Sequence, residues 1–237
     1  MVMEALVELV AACRDEVGER PAVVGIGGPI SSGKSTFAGL LADRLREDRE
    51  LAVGVVAADG FLFSNDDLHA RGLFDRKGYP ESFDVASLVA FLDAVRHGRT
   101  DVVAPRYSHE AYDVVPGTDP VGDVDVLVVE GIVVLQPSMD GQLDLGIYLN
   151  AEPDDLRDWY TDRFVELVGE VEDGSTSILS LFRGLEGQAL RDAAVNVWEA
   201  INVPNNVEFV EPTRGRADVV VVQDADHGLV ALERREV

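Results

Sequence analysis

Short runs of β-branched residues alternate along this chain with segments whose apolar positions recur at helical spacing. That is the pattern of a sheet with helices laid across it. "AVVGIGG" (22–28) reads as a buried strand, and a helix from Ser35 to about Arg46 follows the glycine-rich loop after it. "LAVGVVAADGF" (51–61) predicts a second buried strand, and "VASLVAFLDAVRHG" (85–98) a helix stopped by Gly98. "VDVLVVEGIVVL" (124–135) predicts a third strand, broken at Gly131, and "LDLGIYLNA" (143–151) a fourth. Helices are expected over Asp154 to Glu170 and from about Ile178 to Asn202, separated by the acidic "GEVEDGSTS" (169–177). "ADVVVVQ" and "GLVALERR" close the chain as strands. At the start, Leu6, Leu9, Val10, Cys13 and Val17 fall on one face of an N-terminal helix within 1–20. Near-continuous apolar strands separated by helices predict an α/β fold, a mostly parallel sheet covered on both faces. Its ligands should gather at the carboxyl ends of the strands. One domain over 1–237 accommodates all of it.

The loop after the first strand carries the most specific signal. Gly28-Pro-Ile-Ser-Ser-Gly33-Lys34-Ser35 fits G-x-x-x-x-G-K-[ST] in the strand–loop–helix setting that pattern requires. Glycines let the chain wrap so that successive amides, through Ser31, Ser32 and on to Thr36, point at phosphate oxygens. The positive end of the next helix adds to the attraction. Lys34 would reach the β- and γ-phosphates of a nucleoside triphosphate and Ser35 would ligate Mg²⁺. A GTPase would need a base-reading N-K-x-D element, which is absent from the sequence.

Composition sharpens this picture at two points. The formal net charge is −24, so nucleic acid and anionic membrane are poor partners. Lys34 and Lys77 are the only lysines, so a composition that has almost eliminated lysine keeps one in the phosphate loop. A salt-rich cytoplasm would tolerate such a surface, since the Debye length falls to roughly 3 Å at 1 M salt. An arginine-favouring genome is the rival cause. Stability measured against KCl separates them, because indifference to salt removes the first. No apolar run reaches membrane-span length, the acidic N-terminus carries no basic leader, and the single cysteine, Cys13, excludes an internal disulfide. A cytoplasmic protein is expected.

"VAADGFL", "KGYPESFD", "PRYSHEAYD", "VVEGIVVLQ" and "WYTDRF…WEAIN…PTRGRA" occur in the order in which type I pantothenate kinase carries such strings. From about Val23 onward the chain resembles that family, which is grouped with uridine kinase and phosphoribulokinase. The resemblance implies a P-loop kinase that moves the γ-phosphoryl group of ATP to a hydroxyl of a small metabolite, in a homodimer. Asp59 would be the catalytic base, Lys34 and Arg163 cationic clamps on the phosphoryl group, and Glu130 with Ser35 the support for Mg²⁺. Tyr107, His109, Tyr112 and Asn202 would line the acceptor site with Asp59 and Arg163, within a helical covering region over 151–205. His227 would lie against the adenine. Arg214 and Arg216 match the family without an assigned role.

One departure bears on the acceptor. The family covers its acceptor with several aromatic rings between Arg163 and Asn202, whereas here Phe164 and Phe182 are the aromatic residues before Trp198. Leu167, Ile178 and Leu179 stand where rings are expected. Pantothenate leads as acceptor, with a sugar, a sugar phosphate such as a ribose phosphate, or a nucleoside as the alternative. The rival from another class is an ATP-binding regulatory protein with little transferase activity.

Overall fold

The computed structural model describes residues 1–171 and 177–235. Six strands form one sheet: β1 (Ala22–Gly27), β2 (Val53–Ala57), β5 (Val126–Glu130), β6 (Leu145–Asn150), β7 (Val219–Gln223) and β8 (Leu229–Arg234). Their order is β2-β5-β1-β6-β7-β8, all parallel except β8, which returns antiparallel to β7. Two short strands, β3 (Arg106–Ser108) and β4 (Asp113–Val115), pair as a separate hairpin. β1 is buried along its whole length, with β5 on one side and β6 on the other. The chain order of the strands reverses about it, and in open parallel sheets ligands bind above such a point.

Helices α1 (Val2–Glu16) and α2 (Lys34–Arg49) cover one face, where Leu6, Val10, Phe37 and Leu41 pack against Val24, Ile26, Val128 and Ile147. The other face is closed by α4 (Val85–Arg96), through Leu88, Leu92 and Val95 against Val23, Leu127 and Val129. Alternate side chains of β1 and β5 thus serve different layers, which accounts for the unbroken apolar reading of these strands. Caps start the smaller helices: Ser64 accepts from the Asp67 amide at α3 (Asn65–Arg71), and Asp84 from the Ser87 amide at α4. At the amino end of the sheet, half-buried Asp144 pairs with Arg20 and Arg96 and accepts from the Val23 amide. Burial works against its ionisation, but these bonds hold its carboxyl below the usual range.

Two expectations about the elements change. β2 is an outer strand with β5 as its single neighbour, so Val55 is 40% exposed where a buried strand was expected. The helix expected from Ile178 to Asn202 is broken. A 3₁₀ turn (Ile178–Phe182) precedes α6 (Gly187–Val197), and Gly184 and Gly187, the latter at φ +53°, interrupt regular winding between them. Beyond α6 the chain keeps coiling in two wide π turns, Trp198–Asn202 and Asn206–Val210. On α1, Leu6, Val7 and Val10 are buried while Leu9, Cys13 and Val17 pack at the margin. Of the acidic stretch 169–177, residues 172–176 lie outside the described residues. α5 (Pro153–Glu170) agrees with its expected bounds to one residue.

Candidate active site

Three strand ends build the centre. β1 runs into the phosphate loop, β5 ends at Glu130, and β2 gives way to a 3₁₀ turn (Ala58–Phe61) that carries Asp59. Asp59 therefore sits two residues past its strand rather than at the strand's end. The register aligns Glu130 with both Ile26 and Ala57, so the two carboxylates and the loop share one edge of the sheet. Gly28 is at φ +145°, and a Cβ there would lie 2.4 Å from the Leu149 carbonyl oxygen, so only glycine lets the loop leave β1 this way. Ser31 takes a left-handed φ of +73° without being glycine, a local strain of the kind found where backbone is shaped for a ligand.

Several loop groups lack partners. The amides of Lys34, Ser35 and Thr36 open α2 and have no intrahelical acceptor. The Ser32 hydroxyl is fully buried and makes no hydrogen bond among the described residues. A cradle of free donors with an orphaned buried hydroxyl suits a polyphosphate. The Lys34 ammonium donates to the Pro29 carbonyl at 2.7 Å, curled back on its own loop. Burial lowers its pKa, against the pull of Glu130 and Asp59. The Ser35 hydroxyl donates to Glu130 at 2.7 Å. Glu130 is 5% exposed, and burial raises its pKa, opposed by Lys34 and the Ser35 bond. Asp59 is open to solvent inside its cleft, yet the protein mass around it raises its pKa, with Lys34 and His109 working the other way. A cation and two carboxylates whose ionisation burial opposes thus meet at the mouth of the loop. Among the described residues no group of three or more His, Cys, Asp or Glu side chains could hold a metal alone.

A cleft of about 570 Å³ opens from Ser35, Asp59 and Glu130 and runs along the free edge of β2. The β3–β4 hairpin forms part of its wall through Tyr107 and His109, whose rings meet edge to face at 5.2 Å. Tyr112, at φ +50°, crosses Tyr107 at 6.3 Å. Lys77 secures this aromatic group. Its ammonium lies 4.0 Å from the Tyr112 ring centre and donates at 2.6 Å both to the Tyr112 carbonyl and to Asn65 Oδ1. Asn65 in turn donates to the Tyr112 carbonyl and, through its backbone amide, to Asp113. Burial pulls the Lys77 pKa down to about 8, against the opposing charge of Asp113.

The remaining expected residues separate into two groups. Asn202 is buried on the first wide turn beside Tyr160, and Tyr160 lies near enough to Tyr112 for their charges to interact, which brings this turn toward the hairpin. Arg163 is not drawn in: it faces solvent on α5 and pairs with Glu166 at 3.2 Å. His227 stands well away from the carboxylates, in the β7–β8 turn at φ +61°, stacked on Trp159 at 3.8 Å. The stack lies across the loop from Asp59 and Glu130, on the β6–β7 side of the sheet. Arg214 pairs with Glu233, and Arg216 bonds the Leu135 carbonyl and Asp140. Phe164 and Phe182 meet edge to face within the α5–α6 packing.

Lys77, Asn65 and Tyr160 escaped the sequence reading. The lysine scarcity that singled out Lys34 applied equally to Lys77, and was the signal available.

Residues 23–158, more than half the chain, match the model of the phosphoribulokinase/uridine kinase family. The chain belongs to this family. It is 39% identical over 236 residues to a pantothenate kinase of Leifsonia xyli subsp. xyli, across 94% of this chain and 73% of that one. It is 40% identical over 226 residues to the pantothenate kinase of Clavibacter michiganensis subsp. michiganensis, across 90% and 71%. A solved structure described as a proposed fructose transport system kinase, from Silicibacter sp. TM1040, superposes with a TM-score of 0.73 at 26% identity. It covers 92% of this chain and 96% of its own. D-glycerate 3-kinase from Cryptococcus neoformans var. grubii, at 14% identity and a TM-score of 0.67, shares the fold over 99% of both chains. Among the described residues no helix is long and apolar enough to cross a membrane.

Proposed function

We propose that this protein is an ATP-dependent kinase that phosphorylates a hydroxyl of pantothenate. The observation that carries the reading is Asp59, a carboxylate open to the cleft beside the Lys34 ammonium at the mouth of a phosphate loop. Pantothenate as acceptor is supported by the relatives of that name, about 40% identical over nine-tenths of the chain.

Phosphoryl transfer asks a protein for position and charge more than for covalent chemistry. The loop amides and Ser32 hold the polyphosphate. Lys34 turns from the Pro29 carbonyl to the terminal phosphate. Asp59 accepts the hydroxyl proton and aims the oxygen. Ser35 and Glu130 offer hard oxygen donors of the kind Mg²⁺ takes, together with phosphate and water, and the ion would offset phosphate charge. Arg163 joins by swinging off Glu166, an exposed pair that costs on the order of 0–1 kcal/mol to break. The Trp159–His227 stack would take the base.

A sugar or sugar acid is the second reading. The Silicibacter structure is matched over 96% of its length, against 73% for the Leifsonia kinase, and the expected aromatic cover is largely absent. ADP release should be measured with pantothenate, fructose, glycerate, ribose 5-phosphate and uridine in turn. Stimulation by pantothenate is the expected result. Stimulation by a sugar alone selects the second reading, and a flat background leaves an ATP-binding regulator.

Turnover also carries an alkaline limb. As pH rises through about 8, Lys77 loses its proton and with it the charge that clamps the Tyr107 and Tyr112 rings, so acceptor KM rises. The ordinary lysine pKa is 10.5, so between about 8 and 10.5 the unfolded chain holds the extra proton and the titration itself favours the folded state. Titration of Lys77 therefore does not by itself unfold the protein in that window. A pH–rate profile paired with melting curves tests this, and Lys77→Met should remove the limb.

A further inference from the structure

The two wide turns after α6 and the short helical link between them (Val203–Asn205) bury a row of amides where a helix against a core would place apolar side chains. Asn202, Asn205 and Asn206 are 8%, 1% and 9% exposed, between buried Trp198 and Val210. Buried polar groups need partners, and each unmet one calls for a reason. Asn205 Nδ2 donates to the Gly78 carbonyl at 2.8 Å, while its Oδ1 is unpaired. Among the described residues Asn202 Nδ2 likewise has no partner in hydrogen-bond geometry, although Tyr160 stands close enough to interact with it. Asn206 reaches furthest: its Oδ1 accepts from the Ile30 amide at 2.9 Å, across 176 positions of sequence. Ile30 lies inside the phosphate loop, directly before strained Ser31.

We propose that Asn206 is a positioning residue that holds the phosphate loop in its nucleotide-ready shape through the Ile30 amide and fastens it to the amide row bordering the acceptor space. Resting on the kinase reading for its use, this assignment gives the wide turns a purpose. The segment is itself fixed from outside the loop. Tyr79 donates its hydroxyl proton to the Ile201 carbonyl at 3.0 Å, and Gln136 Nε2 donates to the Phe209 carbonyl at 2.7 Å. Asn206 therefore bonds from a rigid mount, and a mount can hold a strained turn that the loop alone would relax. Gly78 and Tyr79 follow Lys77 directly, so the clamp on the aromatic hairpin and the latch on the loop share one support. Extra residues per turn are a recurrent device for aiming side chains at a site, and here they accompany the three inward amides.

The test uses the full chain with MgAMP-PNP as probe. Amide hydrogen exchange over residues 28–33 is measured without nucleotide, and MgAMP-PNP affinity by calorimetry. Asn206→Ala should speed exchange at Ile30 and Ser31 and weaken MgAMP-PNP by about tenfold, the worth of one such bond. Asn206→Asp keeps an acceptor for the Ile30 amide, so it should restore the protection. It also sets a negative charge near the phosphates, so affinity should stay low. A merely structural role would lower the melting temperature in both variants without this split. Unchanged exchange and affinity in Asn206→Ala overturn the proposal, as does failure of Asn206→Asp to restore protection. Because the exchange measurement needs neither nucleotide nor acceptor, it reads out even if the wild-type protein phosphorylates nothing, which would refute the kinase reading alone.

Discussion

Asp59→Asn should bind MgATP as the parent does and lose acceptor phosphorylation by about 10³-fold, within the range of a general base removed from a fixed hydroxyl. The amide keeps the carboxylate's size and can still touch the acceptor, so the loss isolates proton acceptance from packing. Two further readouts keep the result specific. Burial raises the Asp59 pKa, with Lys34 and His109 opposing, so the acid limb of the parent's pH–rate profile should lie above the ordinary carboxylate range. The residual rate of the variant should be flat across that limb. Stability moves the other way. A carboxyl whose native pKa is raised binds its proton more tightly folded than unfolded, so its contribution is greatest below the unfolded pKa of 3.8 and is lost as pH rises through the native value. At neutral pH Asp59 is therefore a cost to folding, and the variant should melt no lower than the parent. Titration with MgAMP-PNP, ADP release and melting curves decide it together; full turnover would remove Asp59 from the chemistry.

The same site shows how far a sequence can be read. The loop from Gly28 to Thr36 was legible because its physics is local: strand, glycines, lysine and helix follow one another, and no distant residue is needed to recognise them. Glu130 was legible as a charged residue inside an apolar run, whereas Asp59 drew its role from the family resemblance. The outer position of β2 was not, because an edge strand and a central strand present the same letters until neighbours are counted. The three-residue strands of the hairpin are too short for alternation to register. Lys77 meets Tyr112 across 35 positions, and Asn206 meets Ile30 across 176. Such pairings are products of topology, invisible to periodicity. The break between Phe182 and Gly187 was written in Gly184 and Gly187, and a helical period on either side obscured it. Arg163 shows the converse case, since its family position is legible while its side chain rests on Glu166, as a surface arginine ordinarily would.

A second large effect comes from a residue with no side chain. A Cβ placed on Gly60 would lie 2.0 Å from the Pro105 carbonyl oxygen and 2.7 Å from its carbon, both backbone atoms with no rotamer to yield. Real contacts of this kind do not fall below 3.0 Å, so Gly60→Ala must drive the Ala58–Phe61 turn and the 105–107 segment apart by about 1 Å. Those two segments carry Asp59 on one side and Tyr107 on the other. Asp59 and Tyr107 therefore separate, and with the roles proposed for them an error of that size at a reacting centre is worth about 10²-fold in rate. Overpacking of this kind costs about 1–3 kcal/mol in stability. MgAMP-PNP should still bind, because the phosphate loop hangs from β1 and not from this turn. Gly39→Ala is the matched control. It sits within α2 with nothing within 4 Å of an added Cβ, and should stabilise the protein by about 0.5–1 kcal/mol with turnover unchanged. Steady-state rates and denaturant unfolding on the two variants separate crowding at the site from a general response to alanine. Parental turnover in Gly60→Ala would mean that the turn and the hairpin segment are not held together when the acceptor is phosphorylated.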